Sequence, residues 1–181
     1  TVNDHQDLQN DQLQEWAGKW QLRFNATKGK VMHLGKKNPQ YNYRMGDIVL
    51  EDIHDEKDLG VRIDDELKFD KHIEEKVNKA HKTLGLIRRS FHFLDIDTFK
   101  TLYKSLVRPI LEYCNVVAHP QFERQCKLLE GVQHRSTKMV KALKDMGYVD
   151  RLKKLDLPTL YYRRARGDVR DLQILAWYLQ G

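Results

Sequence analysis

The lysines and arginines are the residues of this chain whose number and spacing most clearly predict chemistry. The 181-residue sequence has a net charge of +6 and a pI of about 9.2. Basic residues recur along its second part, at Lys71, Lys76, Lys79, Lys82, Arg88, Arg89, Lys104 and Arg108, and then at Arg135, Lys138, Lys141, Lys144, Arg163, Arg164, Arg166 and Arg170. Such residues bind phosphate groups, whereas positions 47–66 are rich in Asp and Glu. This segregation of charge predicts a phosphate-facing surface, and the alternative is a set of solvated helix faces.

Histidine and cysteine are not spaced as metal ligands in this sequence. The eight histidines are scattered, with neither an HExxH motif nor the Cys–His spacing of a zinc site. Cys114 and Cys126 form no CxxC pair, so we expect small buried thiols in a reducing, intracellular setting. No apolar run approaches the roughly 20 residues of a membrane span, and the polar, acidic start does not resemble a signal peptide. We therefore expect no metal site, no cofactor in this chain and no membrane contact.

The first third of the chain combines a helix with short strands. Leu13, Trp16, Ala17 and Trp20 have helical spacing and predict a helix over residues 4–20. Short apolar or alternating runs, separated by turn residues, then follow at 31–34, 41–45, 48–50 and 59–63. These runs predict a small antiparallel sheet or a set of hairpins.

From about residue 68 onward, the apolar residues follow helical spacing. They form three seams, which are Ile73, Val77, Ala80, Leu84 and Ile87, then Phe99, Leu102, Tyr103, Leu106 and Ile110, then Leu129, Val132, Ser136, Met139, Val140 and Leu143. Asp97 or Thr98 is predicted to cap the second helix, and Pro109 to kink or end it. A last helix is predicted to start near Pro158 and to extend through Val169, Leu172 and Ala176. The fold class is therefore α+β, with a small antiparallel sheet near the N-terminus and then a mostly helical bundle.

Taken in order, several segments resemble one protein family. Leu13–Gly35 resembles the segment after the catalytic YADD box of LINE-type reverse transcriptases, and its part from Asn25 to Lys28 corresponds to polymerase motif D. Lys57–Val61 is similar to motif E, the primer grip, and Leu102–Cys114 to the thumb helix. Residues 129–135 and 163–168 match patterns beyond the thumb. The ordered set resembles the C-terminal part of a non-LTR retrotransposon reverse transcriptase, an RNA-directed DNA polymerase.

The resemblance implies three parts and a set of contacts with nucleic acid. Residues 1–67 would be the end of the palm, residues 68–118 thumb-like helices, and residues 119–181 a helical segment after the thumb. Lys28 would serve as a general acid in the intact enzyme, or else be a surface lysine in a turn. The positions implied to contact an RNA–DNA template–primer duplex are Asn25, Lys30, Leu59, Gly60, Arg88, Arg89, Lys104 and Arg108. Lysines between 138 and 154 are expected to contribute less, because they lie beyond the thumb match.

Two of these expectations have structural alternatives. Gly60 would let the primer strand approach the Leu59–Gly60 backbone closely, or the pair would simply form a bend inside a hairpin. Tyr103 and Tyr113 are expected to be core residues rather than platforms for base stacking.

We do not expect this chain to catalyse a reaction alone. The family's catalytic aspartates hold two divalent cations such as Mg²⁺, and the resemblance places them before Thr1. The Asp64–Asp65 pair follows the motif E-like strand, so it does not replace them. Gly29, His119 and Gly131 also depart from the family's pattern. We expect a fragment that binds the template–primer duplex beside the remaining fingers and palm, and the alternative is a non-enzymatic helical interaction module derived from such an element.

Overall fold

The computed structural model describes residues 12–13, 15–22 and 24–167. The chain divides into two compact units, Thr1–Leu67 and Lys68–Gly181. Short strands lie in the first unit and helices dominate the second, so the predicted α+β class is confirmed. Residues 12–13 and 15–19 are helical and are named α1. The earlier part of the helix predicted over 4–20 lies outside the described residues.

Six short strands pair two by two in the first unit. They are β1 (Lys30–Val31), β2 (Arg44–Met45), β3 (Ile48–Val49), β4 (Glu51–Asp52), β5 (Asp55–Asp58) and β6 (Val61–Asp64). The β2–β3 and β5–β6 pairs are antiparallel hairpins, as predicted. The β1–β4 pair is parallel, which the expectation of a purely antiparallel set missed. A parallel pair needs a crossover connection, and here the β2–β3 hairpin lies within that connection.

The longest helix of the second unit, α2 (Asp70–Ser90), has the apolar seam that the sequence predicts. Its five seam residues are all buried, and they are Ile73, Val77, Ala80, Leu84 and Ile87. Spacings of three and four residues keep them on one face of a helix with 3.6 residues per turn. This face forms one side of the core of the helical unit.

The next helix, α3 (Ile96–Leu102), begins two or three residues earlier than its predicted caps suggest. Asp95 is the N-cap, and one of its carboxylate oxygens accepts hydrogen bonds from the backbone N–H groups of Asp97 and Thr98, both at 2.9 Å. The prediction that Asp97 or Thr98 caps the helix is therefore wrong. These hydrogen bonds, first of all the backbone bond from Thr98, hold the pKa of Asp95 below its usual range.

A π-helical turn, Tyr103–Val107, joins α3 to α4 (Arg108–Leu111). The backbone N–H of Arg108 donates to the carbonyl of Tyr103, five residues earlier. The helix continues past Pro109 to Leu111, so the proline does not end it.

The wide turn also changes which residues face the core. Val107 and Leu111 are buried, whereas Leu106, predicted to be a core residue, is 47% exposed. A π-helical turn holds more residues than an α-helical one, so the buried positions after Tyr103 move by one residue. The second seam is therefore correct up to Tyr103 and wrong at Leu106.

Three further helices complete the described part of the second unit. They are α5 (Glu123–Thr137), α6 (Tyr148–Leu155) and α7 (160–167), with a 3-10 turn at Lys141–Leu143. The third seam is largely confirmed, since Leu129, Val132, Ser136, Val140 and Leu143 are buried. The last two of these residues lie beyond the end of α5.

The last described helix, α7, begins later than predicted. It starts at residue 160 rather than beside Pro158, and the Thr159 side-chain oxygen accepts a hydrogen bond from the Tyr162 backbone N–H at 3.1 Å. Val169, Leu172 and Ala176 lie outside the described residues. None of the helices among the described residues has the length and apolar character needed to cross a membrane.

The two tyrosines that the sequence predicts to be core residues differ in burial. Tyr103 is buried, and this burial raises its pKa well above the usual value. Tyr113 is 43% exposed, so the prediction is wrong there. The Lys76 ammonium lies 4.1 Å from the centre of the Tyr113 ring, and this cation–π contact favours a surface position. Cys114 and Cys126 are free thiols, and both are half-buried rather than fully buried.

Candidate nucleic-acid interface

The motif D-like residues lie on an exposed turn of the first unit. Ala26–Lys28 forms one 3-10 turn, and Asn25 precedes it, accepting a hydrogen bond of 2.6 Å from the Thr27 hydroxyl. Asn25 and Lys28 are exposed. A Cβ atom on Gly29 would lie 2.7 Å from Leu50 Cδ2, so the glycine suits the packing of Leu50. The side chain of Lys28 is therefore accessible to a ligand from solvent.

Lys30 joins the motif D-like segment to the β5–β6 hairpin. Its ammonium lies 2.7 Å from the Glu56 carboxylate on β5. The hydrogen bond that Lys30 donates to Glu56, and then the negative charge of Glu56, raise the pKa of Lys30. Lys30 is thus a cation with a partner, and a phosphate would have to compete with Glu56 for it.

Local partners also surround the acidic residues of positions 47–66. The carboxylates of four of them pair with basic side chains of the first unit, as Asp52 with His33, Asp55 with Arg62, Asp65 with His54 and Glu66 with Lys36. The His54–Asp65 and Lys36–Glu66 pairs lie at the surface, where each contributes only a few tenths to about 1 kcal/mol, and the other two pairs are partly buried. Part of the acidic stretch therefore has its own partners within the first unit.

Leu59 and Gly60 form the two-residue turn between β5 and β6. Their φ angles are +45° and +81°, and Asp58 pairs with Val61 on either side of them. Two positive φ angles match the type I′ turn that favours hairpins. The geometry is that of a bend inside a hairpin, one of the two alternatives for this pair. The Leu59 side chain is 84% exposed at the tip.

Replacing Leu59 by asparagine should stabilise the β5–β6 hairpin. A left-handed conformation is unfavourable for leucine by about 1–2 kcal/mol, whereas asparagine tolerates it and Asn-Gly suits a type I′ turn. The change removes little buried surface, because the leucine is exposed. Amide hydrogen exchange in Asp55–Asp64 should slow by roughly fivefold, the factor that about 1 kcal/mol gives. Unchanged or faster exchange would contradict the inference that the left-handed conformation of Leu59 destabilises the hairpin.

A basic surface lies in the second unit. Five cations line a cleft of about 720 Å³, here named the basic cleft, and they are Arg88, Arg135, Lys138, Lys141 and Lys144. Phe91, His81 and His92 also line it. None of the described residues that line the cleft is acidic. A concave surface with one sign of charge concentrates ligands of the opposite sign.

The ends of two helices place these cations together. Arg88 lies in the last turn of α2, Arg135 lies in the last turn of α5, and Lys138 follows α5 directly. Cations near the carbonyl end of a helix stabilise it, which is a structural reason for Arg88 and Arg135. Lys141 and Lys144 lie beyond α5, so helix stabilisation does not account for them.

His81 does not add to the charge of the basic cleft near neutral pH. Burial first, and then the charge of Arg135, lower the pKa of His81 below its usual range. One terminal nitrogen of Arg135 lies 3.4 Å from His81 Nε2. A neutral imidazole nitrogen accepts a hydrogen bond from this guanidinium, which helps to hold Arg135 in place.

The four basic residues assigned to the thumb do not all line the basic cleft. Arg88 lines the basic cleft. The next residue, Arg89, is exposed but does not line the cleft. Lys104 and Arg108 lie on the π-helical turn and α4, also outside the cleft lining. The Arg108 guanidinium lies 3.9 Å from the Glu112 carboxylate.

Three lysines of the cleft were expected to contribute less than the thumb residues. Lys138, Lys141 and Lys144 line the same cleft as Arg88. Together with Arg135, they recur every third residue, and this spacing is the sequence signal that points to them. The resemblance drew attention to the thumb match instead.

The aspartate pair of the first unit lies at the end of the β5–β6 hairpin. Asp64 lies on β6, and the Asp65 carboxylate lies 2.9 Å from His54 Nδ1. Among the residues that the structure describes, no three His, Cys, Asp or Glu side chains are grouped to hold a metal ion.

The chain is similar to an uncharacterized protein of Caenorhabditis elegans. The two are 31% identical over 124 residues, which cover 67% of this chain and 60% of that protein. The chain therefore spans less than two thirds of this relative's length. No protein family model matches the chain, and no solved structure matches it.

Proposed function

We propose that this chain is part of a non-LTR retrotransposon reverse transcriptase and that its helical unit binds the RNA–DNA template–primer duplex. The ordered motif resemblance supports the family, and the basic cleft supports the binding role. The observation that supports binding most directly is that five cations line one concave surface. None of the described residues that line this surface is acidic. Contacts of this kind neutralise phosphates without reading base sequence.

The proposed binding surface differs from the one that the sequence suggests. Lys138, Lys141 and Lys144 join Arg88 and Arg135 as the principal phosphate contacts. Lys104 and Arg108 become secondary, because they lie outside the cleft and Arg108 has Glu112 nearby. In the first unit, Lys28 and the Leu59–Gly60 tip are exposed and remain candidates for contact with the primer in an intact enzyme.

The proposal assigns no bond-forming step to this chain. In the intact polymerase, divalent cations bound by the motif A and motif C aspartates would activate the primer 3′-hydroxyl. The resemblance places those aspartates before Thr1. What this chain contributes is affinity for the duplex, and its partners are the duplex and the remaining parts of the polymerase.

Binding to a fluorescently labelled RNA–DNA hybrid tests the proposal. Anisotropy at about 50 mM salt should show affinity in the micromolar range and equal affinity for hybrids of unrelated sequence. Primer extension with the 181-residue chain, dNTPs and Mg²⁺ or Mn²⁺ should show no product. Absence of binding at this salt would favour the non-enzymatic interaction module, and primer growth above background would contradict the assignment of chemistry to other segments.

A further inference from the structure

Arg164 is a buried arginine whose charged end has no partner in the described part of the chain. It lies on α7 and is 3% exposed. Neither Nη1 nor Nη2 of its guanidinium has a hydrogen-bond acceptor among the described residues. A buried ion without partners is strongly unfavourable, and a ligand that supplies acceptors removes much of this penalty.

The Arg164 side chain lines a cavity of about 330 Å³, here named the Arg164 cavity. Glu112, Asn115 and Arg163 also line it. This volume lies at the lower end of the range of about 300–1,000 Å³ that small-molecule sites occupy. The Arg164 side chain thus borders space that a small ligand can fill, and its Nη1 and Nη2 atoms are themselves covered.

The charges of the residues that line the Arg164 cavity favour an anion, because two arginines face one glutamate. Glu112 accepts two hydrogen bonds from Arg163, one from Nε and one of 3.0 Å from Nη2. Arg108 approaches the same carboxylate. Two guanidinium groups therefore share the Glu112 carboxylate, whereas the guanidinium of Arg164 has no acceptor among the described residues. A phosphate monoester carries a charge of about −1.5 to −2 at pH 7.

We propose that the Arg164 cavity binds a phosphate group, with Nη1 and Nη2 of Arg164 as its donors. The two terminal nitrogens of a guanidinium match two oxygens of a phosphate. Because both nitrogens are covered, the guanidinium turns toward the cavity when it binds the phosphate. The source of the phosphate is either inorganic phosphate or the phosphate of a nucleotide, since both present the same oxygens. This site is separate from the basic cleft and does not depend on the proposed polymerase role.

Thermal unfolding of the full chain in phosphate tests this site. The melting temperature should rise with phosphate concentration, but not with acetate at the same ionic strength. Arg164→Met should weaken phosphate binding at least about tenfold, because it removes two charge-assisted hydrogen bonds. Its melting temperature without phosphate should equal or exceed that of the native chain, because an unpaired buried charge is gone. Arg166→Met, on the exposed side of α7, is the matched control and should keep the phosphate response.

The nitrogen-15 NMR signals of the Arg164 guanidinium provide a readout if the variant does not fold. They should shift on adding phosphate to the native chain, and unchanged signals overturn the proposal. Titrations with AMP and adenosine separate the sources. Binding of AMP that is tighter than that of inorganic phosphate indicates a nucleotide, and equal affinities indicate phosphate alone.

A carboxylate of the chain itself is the competing occupant. Asp168 and Asp171 follow Arg164 in the sequence and lie outside the described residues. The variant with both Asp168→Asn and Asp171→Asn should bind phosphate as the native chain does. If this variant binds phosphate about tenfold more tightly than the native chain, a carboxylate of the chain occupies the site and the proposal is overturned.

Discussion

Replacing Gln133 by leucine should lower the free energy of unfolding of the helical unit by about 3 kcal/mol. Gln133 is 1% exposed, and its amide oxygen accepts a hydrogen bond of 2.6 Å from the Tyr103 hydroxyl. Its amide nitrogen donates to the Pro158 carbonyl at 2.9 Å. The same nitrogen also donates to the Tyr148 hydroxyl at 3.2 Å. Leucine has a similar size but removes all three bonds, and each buried group left unsatisfied costs about 1–3 kcal/mol. Urea unfolding followed by circular dichroism measures the change.

A double-mutant cycle with Tyr103→Phe separates this hydrogen bond from packing. The single change at Tyr103 leaves the Gln133 oxygen without its donor and should cost about 1–2 kcal/mol. The combined variant should lose less than the sum of the two single losses, because the same bond is removed in both. Strictly additive losses would mean that the Tyr103–Gln133 bond contributes little.

Removing the charges of the basic cleft should weaken binding to the RNA–DNA hybrid by roughly 100-fold at low salt. The cleft variant replaces by glutamine the five residues Arg88, Arg135, Lys138, Lys141 and Lys144. Each lost cation removes one opportunity to neutralise a phosphate and release its counterion. Anisotropy with two hybrids of unrelated sequence should show equal weakening for both.

A matched control separates the effect of the basic cleft on affinity from the effect of net charge. This control variant replaces by glutamine five exposed cations that do not line the cleft, which are Lys79, Lys82, Lys153, Lys154 and Arg166. It has the same net charge as the cleft variant and should lose less than tenfold in affinity. Equal losses in the two variants would show that binding follows the total charge rather than this surface.

The sequence predicts a helix well where a seam repeats without interruption. The apolar residues of α2 are three or four positions apart from Ile73 to Ile87, and all of them are buried. The next seam fails at Leu106 because a π-helical turn lies between Tyr103 and Val107. A periodicity of 3.6 residues does not reveal such a turn. The sequence instead predicts that the helix kinks or ends at Pro109.

The basic cleft was only partly predictable, because its residues lie far apart in the chain. Arg88 comes fifty residues before Lys138, and the packing of α2 against α5 brings the two elements together. Periodicity describes one element at a time, so it does not show which helix ends meet. The unpartnered Arg164 guanidinium had no sequence signal either, since its neighbour Arg163 has the same residue type and is bound to Glu112.

The salt dependence of hybrid binding tests the central claim most directly. For duplex DNA, the slope of log K against log salt changes by roughly 0.9 for each phosphate that the protein neutralises. The native chain should therefore show a slope steeper than that of the cleft variant by about 4.5, if all five cations contact phosphates. The control variant should keep a slope close to the native one. Equal slopes for the native chain and the cleft variant would contradict binding of the duplex by the basic cleft.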